Sequence, residues 1–501
     1  MQSKKLIKNT YTAIIYQVAT LICGFILPRL ILGNFGSEVN GLVNSITQFL
    51  QVIQFLELGV GAVVRTSLYK PLAERNHKAI SEIITSANKF FKRLAFILLC
   101  YIGVLLIIYP YVSNSTFDNV YTALLILCIA ISSFAQYYFG ITDILLITAD
   151  QKAYLQYNVQ TVTMIANVLM TIVLININAS IHVVKLATSV LYLVRPLVIR
   201  LYVNKRYHVC RNVKLEREPI AQKWNGAAQH IVSVVLESTD SVVLTLFSTL
   251  SNVSIYGVYQ MVVVGVRQFF LLVSNGIQSF LGELWAKGER KKLNYVFGWV
   301  EWSIHTATVL VYGCTAMLIT PFIQVYTSGV NDADYTQPLF AAILTFAYAL
   351  YCLRLPYNIM ILVCGHYKQT QSCYIIAAVI NIAISVATVM IWGLVGVAIG
   401  TAASMLYQII WMCIYDSKNL FKWPVKNVIK QIFVDIVTVV AAVFASRGIA
   451  IGKLSYVSWL VMAVKIFACW LVVIIIINSL FYHHKAVKIK DRFLNIFKRK
   501  S

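Results

Sequence analysis

The chain has 501 residues, 59% of them hydrophobic and 12% charged, with a mean hydropathy of +0.74. A soluble domain carries roughly a quarter charged residues, so the composition excludes an ordinary cytosolic enzyme and equally a disordered or collagen-like chain. The 42 Lys and Arg exceed the 19 Asp and Glu, giving a net charge of +23. On a chain this apolar, that excess points to cationic loops held on one side of a membrane, and nucleic acid is not expected as a partner.

A bilayer core takes about 20 mostly apolar residues per helix. In chain order, such stretches fall at 10–32, 41–64, 94–112, 120–147, 157–177, 182–203, 227–247, 255–282, 295–319, 338–362, 373–392, 394–415, 428–446 and 458–481. The first is too long for a removable signal peptide and lacks a small-residue cleavage site. No connecting loop is long enough for a separate soluble domain. The expectation is an all-α polytopic membrane protein of about 14 transmembrane helices.

Counting cations in alternate loops sets the orientation. One set (1–9, 65–93, 148–156, 204–226, 283–294, 363–372, 416–430 and 482–501) holds 33 Lys and Arg, and the opposite set holds only Arg447 and Lys453. Both termini are therefore expected in the cytoplasm. The basic loop 65–93 and the tail from Lys485 to Lys500 are expected to meet anionic membrane lipids.

A weak repeat runs through the chain at an offset near 213. Ala73 aligns with Ala286 and Lys78 with Lys291, while Lys152, Asn167 and Ser189 recur as Lys368, Asn381 and Ser404. Each copy holds an even number of helices, so the two enter the membrane in the same direction as a parallel repeat. The expected layout is two six-helix lobes, 1–205 and 206–416, around a central cavity. Two extra helices and a basic tail complete it over 417–501. This is a transporter layout.

Ionisable groups inside spans are expensive and mark functional positions by default. Lys185 and Arg200 are near enough to helix ends to snorkel. Arg29, Arg195, Arg267, Arg354 and Lys465 lie deeper, and three of the arginines adjoin prolines (Pro28, Pro196, Pro356). An arginine at a bend in a cavity wall suits a fixed anion fork, because its guanidinium offers planar, paired donors to phosphate. Arg29, Arg195, Arg267 and Arg354 are the candidate diphosphate ligands. Pairing with buried carboxylates or carbonyls is the competing reading.

Two polar stripes accompany them. Asn44, Thr47, Gln48, Gln51 and Gln54 fall within an arc of about 120° on one helix. His230, Ser233, Glu237, Asp240 and Ser241 do so within about 100° on another. Such stripes face water or other polar helices; Asn44, Gln48 and Gln51 suit sugar hydroxyls, and hydrogen bonding between helices is the alternative. Glu57 lies just off the first stripe. Glu237 and Asp240 sit one turn apart, a like-charge pair suited to an ion. The three carboxylates are the candidates for coupling to H+ or Na+.

The ten cysteines are scattered without a CxxC pair, so no metal site or disulfide framework is expected. No GxxxxGK[ST], HExxH or GxSxG occurs, so neither ATP hydrolysis nor another enzymatic role is expected, and no catalytic residue is assigned. No cofactor is expected, the driving force being an ion gradient or the membrane potential. Gly396 and Gly400 form a GxxxG, most simply a close helix contact.

The succession Pro28-Arg29-Leu-Ile-Leu-Gly33, Gly41-Leu-Val-Asn44, Leu68-Tyr69-Lys70-Pro71-Leu-Ala-Glu74, Ala149-Asp150-Gln-Lys152 and Thr239-Asp240-Ser-Val-Val resembles the Wzx-type polysaccharide biosynthesis flippases. These belong to the multidrug/oligosaccharidyl-lipid/polysaccharide exporter superfamily. The resemblance implies a MATE-like fold and a place in the bacterial inner (plasma) membrane. It further implies flipping of an undecaprenyl-diphosphate-linked oligosaccharide to the outer leaflet for capsule, exopolysaccharide or O-antigen. The implied partners are the lipid-linked oligosaccharide, a polysaccharide polymerase and glycosyltransferases. A lipid II-type cell-wall precursor flippase and a multidrug or cation antiporter of the same fold remain as alternatives. A membrane-bound polysaccharide polymerase would call for a large external loop, whereas the longest outer connection, about 320–337, is short.

Overall fold

The apolar runs fold as helices. The computed structural model describes residues 2–51, 54–113, 117–207, 209–211, 213, 238–421, 423–485 and 487–488, and every regular element among them is helical. In order these are α1 (Gln2–Gln51), α2 (Gln54–Ala73), α3 (His77–Val112), α4 (Asn119–Ala135), α5 (Ile141–Ala149), α6 (Ala153–Asn176) and α7 (Ile181–Arg206). The described part of α8 is Ser238–Phe247. Then follow α9 (Leu250–Ala286), α10 (Arg290–Tyr326), α11 (Pro338–Leu353), α12 (Leu355–Val363), α13 (Tyr367–Trp392), α14 (Leu394–Tyr415), α15 (Val425–Ser446) and α16 (Tyr456–Phe481). π-turns at Gln136–Gly140 and Asp416–Leu420 join α4 to α5 and extend α14.

Among the described residues, twelve helices are long and apolar enough to cross a membrane. The first of them carries two of the expected spans. It is divided at Gly36, whose backbone (φ 83°, ψ 175°) is not helical. That conformation belongs almost exclusively to glycine. The Asp332 carboxylate fixes the break, accepting from Ser37 N at 2.6 Å and Ser37 Oγ at 2.7 Å. A Cβ on Gly36 would lie 2.8 Å from Asp332 Oδ2. The expected span 227–247 is described from Ser238 onward, and its earlier residues lie outside the described ones. With that division and α8, the helices account for the fourteen stretches. The chain is an all-α, multi-pass membrane protein.

Local chemistry sets the other ends. Asn76 caps α3 by accepting from Ala79 N at 3.0 Å, and Ser455 caps α16 by accepting from Ser458 N at 3.2 Å. Helices α9 and α10, each of 37 residues, are about 55 Å long at 1.5 Å per residue, so they reach beyond a 30 Å hydrocarbon layer.

Two units divide the chain. One comprises Met1–Gly257 with Gly329–Ala333 and Val389–Gly393; the other comprises Val258–Ser328, Asp334–Thr388 and Leu394–Ser501. In the first, α1 packs along α6, α4 and α6 along α7, and α3 along α4. Its core gathers Leu42, Leu68, Ile84, Phe91, Leu98 and Leu146. In the second, α11 packs along α14, and α10 along α11, α15 and α16. Phe297, Tyr357, Met360 and Met412 form one of its cores; Trp470, Ile466 and Ala442 form another.

Lipid offers no hydrophobic drive between helices, so close packing depends on small residues. A Cβ on Gly41 would lie 1.8 Å from Leu250 O, and one on Gly313 would lie 1.8 Å from the Trp470 ring. The GxxxG glycines behave likewise. Cβ atoms there would lie 2.5 Å from Thr388 O (Gly396) and 2.2 Å from Ser385 Oγ (Gly400), so α14 lies against the backbone of α13. Large apolar residues such as Ile107, Tyr111, Met390 and Val457 face outward, as lipid contact requires.

Candidate functional site

In the second unit, two of the singled-out arginines come together. Arg267, midway along α9, and Arg354, between α11 and α12, are each only 7% exposed. Their guanidinium carbons lie 5.1 and 4.4 Å from the centroid of one ring, Tyr351; Tyr348 also faces Arg267 at 5.7 Å. The chain bends where the sequence predicts. Helix α11 stops at Leu353, Arg354 forms the junction, and Leu355-Pro356 opens α12. Proline lacks an amide hydrogen and clashes with the preceding turn, so the helix restarts there. The Nε and Nη1 atoms of Arg354 are buried without a hydrogen-bond partner, and this arginine has no ion pair among the described residues. The Tyr374 hydroxyl, which donates to Asn358 Oδ1, lies beside it. Aromatic faces screen a guanidinium without consuming its in-plane donors. The pair thus brings two guanidinium groups to one ring, with the Nε and Nη1 donors of Arg354 unclaimed, a chemistry that matches a phosphate or diphosphate.

The first unit holds Arg195 in different surroundings. Its Nε donates to Thr163 Oγ1 at 2.7 Å, and its guanidinium carbon lies 3.6 Å from the centroid of the Tyr192 ring. Its Nη2 is buried without a partner. Arg195 lines a cavity of about 70 Å3 with Gln136, Gln156, Gln160 and Ser132, which has room for a few water molecules. The amide-bearing wall was not singled out from sequence, although Gln156, Gln160 and Thr163 recur at helical spacing on α6. Arg29 is half-buried within α1, and Gly33, one turn on, leaves its guanidinium space: a Cβ there would lie 3.7 Å from Arg29 Nη1. Neither Pro28 nor Pro196 breaks its helix. Lys465 is exposed on α16, apart from the buried arginines.

The first stripe serves two ends. Next to it, Asn40 donates to Ser254 Oγ at 2.7 Å, Tyr109 donates to Ser45 Oγ at 2.7 Å, and Ser45 and Thr245 share a 2.6 Å bond. Those residues tie helices together, and sequence reading overlooked them because small hydroxyls carry little periodic signal. Thr47 bonds back to Val43 O in its own helix. Asn44 meets Gly257 closely, since a Cβ there would lie 2.7 Å from Asn44 Nδ2, while Gln48 and Gln51 are half-buried. Of the carboxylates, Asp240 is buried and accepts from Tyr256 OH at 2.8 Å. Glu237 and the Glu57 side chain lie outside the described residues.

The Asp150-Gln-Lys152 motif is a lock. Asp150 pairs with Lys152 Nζ at 2.6 Å and Lys5 Nζ at 3.3 Å and accepts from the Tyr207 hydroxyl. Asn9 Nδ2 donates to Gln151 O, and Asn9 Oδ1 accepts from Tyr154 N, both at 2.9 Å. The start of α1, the α5–α6 turn and the end of α7 are thereby stitched together. Burial acts to raise the Asp150 carboxyl, but the hydrogen bonds from Lys152 and Tyr207 and the charges of Lys152 and Lys5 outweigh it. They hold the carboxyl below the ordinary aspartate range.

No family model matches the sequence, and no curated protein does. The fold matches solved structures throughout. A lipid II flippase MurJ in an inward closed conformation is 15% identical, with a TM-score of 0.71 over 94% of this chain and 99% of that one. An inward-facing multidrug resistance MATE family transporter of the MOP superfamily is 12% identical, with a TM-score of 0.67 over 80% and 94%. The Vibrio cholerae MATE transporter VcmN in its bent form is 13% identical, with a TM-score of 0.55 over 83% and 96%. The chain therefore has the fold common to these flippase and transporter structures.

Proposed function

We propose that the chain is a flippase that carries an undecaprenyl-diphosphate-linked oligosaccharide from the cytoplasmic to the outer leaflet of a bacterial plasma membrane, both termini lying in the cytoplasm. The observation that carries this reading is the Arg267–Arg354 pair around Tyr351, with buried Arg354 donors unclaimed by the described protein groups. A diphosphate supplies what such donors lack, and the exporter fold supports a transport role over an enzymatic one. Polar sugars need hydrated polar walls, which the amides around Arg195 and the half-buried Gln48 and Gln51 suit. Moving two negative charges outward follows an inside-negative potential, worth about 2.3 kcal/mol per charge per 100 mV. An ATP site is then unnecessary.

A lipid II-type precursor is the second reading, favoured by the match to a lipid II flippase over nearly the full length of both chains. It shares the diphosphate and differs in the sugar. A cation exporter fits less well, because buried guanidinium pairs repel its cargo. The test is binding by the purified full chain in nanodiscs of three probes: an undecaprenyl-diphosphate oligosaccharide, lipid II and a cationic dye. The proposal expects diphosphate-lipid binding weakened at least about tenfold by Arg354→Ala, corresponding to about 1.4 kcal/mol. Preference for the dye, or equal binding by Arg354→Ala, overturns it.

A further inference from the structure

We infer that His305 and Asp435, with Glu301 and Gln431 one turn nearer the helix starts, form a proton-binding site in the second unit, reached by water through a cavity at those ends. The four residues lie on α10 and α15 as two rungs, the deeper joined by a direct contact and the outer by a shared cavity wall. In the deeper rung, His305 Nδ1 and Asp435 Oδ2 are 2.6 Å apart, and the imidazole is fully buried. In the outer rung, Gln431 Nε2 donates to Asp435 Oδ1 at 2.9 Å. Glu301 Oε1 accepts from Tyr357 OH at 2.8 Å and Trp423 Nε1 at 3.0 Å. Glu301 and Gln431 both line a cavity of about 310 Å3, large enough for a chain of waters.

Depth makes the deeper rung unusual. Asp435 is ten residues into a 22-residue helix, so it lies about halfway along α15. A charge at that depth is costly and is retained where it does work. A carboxylate can only accept, so an ionised Asp435 fixes the neutral imidazole as its Nδ1–H tautomer. This leaves Nε2 as the basic atom, and Nε2 makes no hydrogen bond within ordinary reach. The nearby Leu353 carbonyl is the backbone acceptor at the ring. A hydronium ion in the cavity meets Glu301 and Gln431 rather than the imidazole, which does not line it; a proton passed inward from there adds to the Nε2 lone pair and leaves water behind. Asp435 stays a carboxylate, and the charge of the pair goes from −1 to 0. The new Nε2–H then has the Leu353 carbonyl to meet, one residue before Arg354.

Among the described residues, titratable groups come close to the pair from several elements. Glu301 shares α10, and Lys430 lies on α15 at the cavity. Tyr357 of α12 places its ring 6.4 Å from the imidazole, and Cys413 of α14 lies beside Glu301. Tyr482 and Lys485 follow α16. Lys485 donates to Gly298 O at 2.7 Å, and burial pushes it down to about 8.

The site adds ion coupling to the flippase reading and does not depend on it, since proton binding is read without substrate. The full chain labelled with 15N-histidine in lipid bilayers is titrated by solid-state NMR between about pH 5 and 9, the interval histidine spans. The His305 signal is assigned by its loss in His305→Gln. It is expected to pass from the Nδ1–H tautomer to imidazolium within that window. Asp435→Asn is expected to move the midpoint by about one pH unit or more. A single protonation state throughout, or an unmoved midpoint, overturns the inference. Should His305→Gln fail to fold, exchange of the imidazole C2 hydrogen for deuterium in the wild type, read on the peptide containing His305, serves in its place. A sigmoidal dependence on pH is expected; absence of exchange marks a dry structural staple and overturns it.

Discussion

A guanidinium and an ammonium carry the same charge but differ in shape, and the proposed role of Arg354 turns on shape. Its guanidinium carbon lies 4.4 Å from the centroid of Tyr351 with Nε and Nη1 unclaimed, so Arg354→Lys is expected to restore charge without restoring paired phosphate contacts. Arg354→Ala and Arg354→Lys should both transport more slowly than wild type, with Lys the less impaired. Combined with Arg267→Ala, Arg354→Ala should cost less than the sum of the single losses, because the two flank one ring. Initial rates at matched protein levels check both statements, and full activity of Arg354→Lys would show that charge alone suffices. Asp150 offers a residue-scale test of a different kind. Its folded carboxyl is held below its unfolded value, so its stabilisation is present above the unfolded pKa and is lost as pH falls through the folded one. Asp150→Asn should therefore melt earlier than wild type at neutral pH, and the two melting curves should converge in acid. A constant gap down to acid pH would contradict the assignment.

At the scale of elements, composition made the helices legible because their apolar runs match the thickness of a bilayer. The breaks were harder to read. Pro356 ends a helix while Pro28 and Pro196 do not, since the helix around each of those prolines continues unbroken. The sharpest break falls at Gly36, where Asp332, about 300 residues away in sequence, holds Ser37. No local pattern announces a carboxylate that far off. The same holds for the sites: Arg267 and Arg354 stood out as charges in apolar stretches, but Tyr351, the ring they share, was one aromatic among 29 Tyr. His305 carries no signal of its own in the sequence, because its partner Asp435 lies 130 residues away, although Glu301 and His305 sit at i and i+4. Gly36→Ala should lower stability by about 2 kcal/mol from backbone strain and the encounter with Asp332. Gly313→Ala should do similar damage by driving α10 away from Trp470. Thermal unfolding in detergent measures both, and wild-type stability of Gly36→Ala would refute the local geometry.

For the whole molecule, the proposed function turns on which cargo the fold would carry. The helical architecture is one that the compared structures use for a lipid-linked precursor and for drugs alike, so architecture leaves the choice to the buried charges. Under the proposed function, the paired arginines and the amide-lined cavity beside Arg195 suit an anionic lipid head, whose outward movement the membrane potential would drive. The rate should then rise with an inside-negative potential and fall when it is collapsed. The most direct measurement uses proteoliposomes of the full chain carrying a fluorescent undecaprenyl-diphosphate oligosaccharide, with an impermeant quencher reporting the leaflet it occupies. The account predicts translocation by the wild type and at least about a tenfold slower rate for Arg354→Ala in equally folded protein. Absence of translocation by the wild type, or an undiminished rate in the variant, would contradict it.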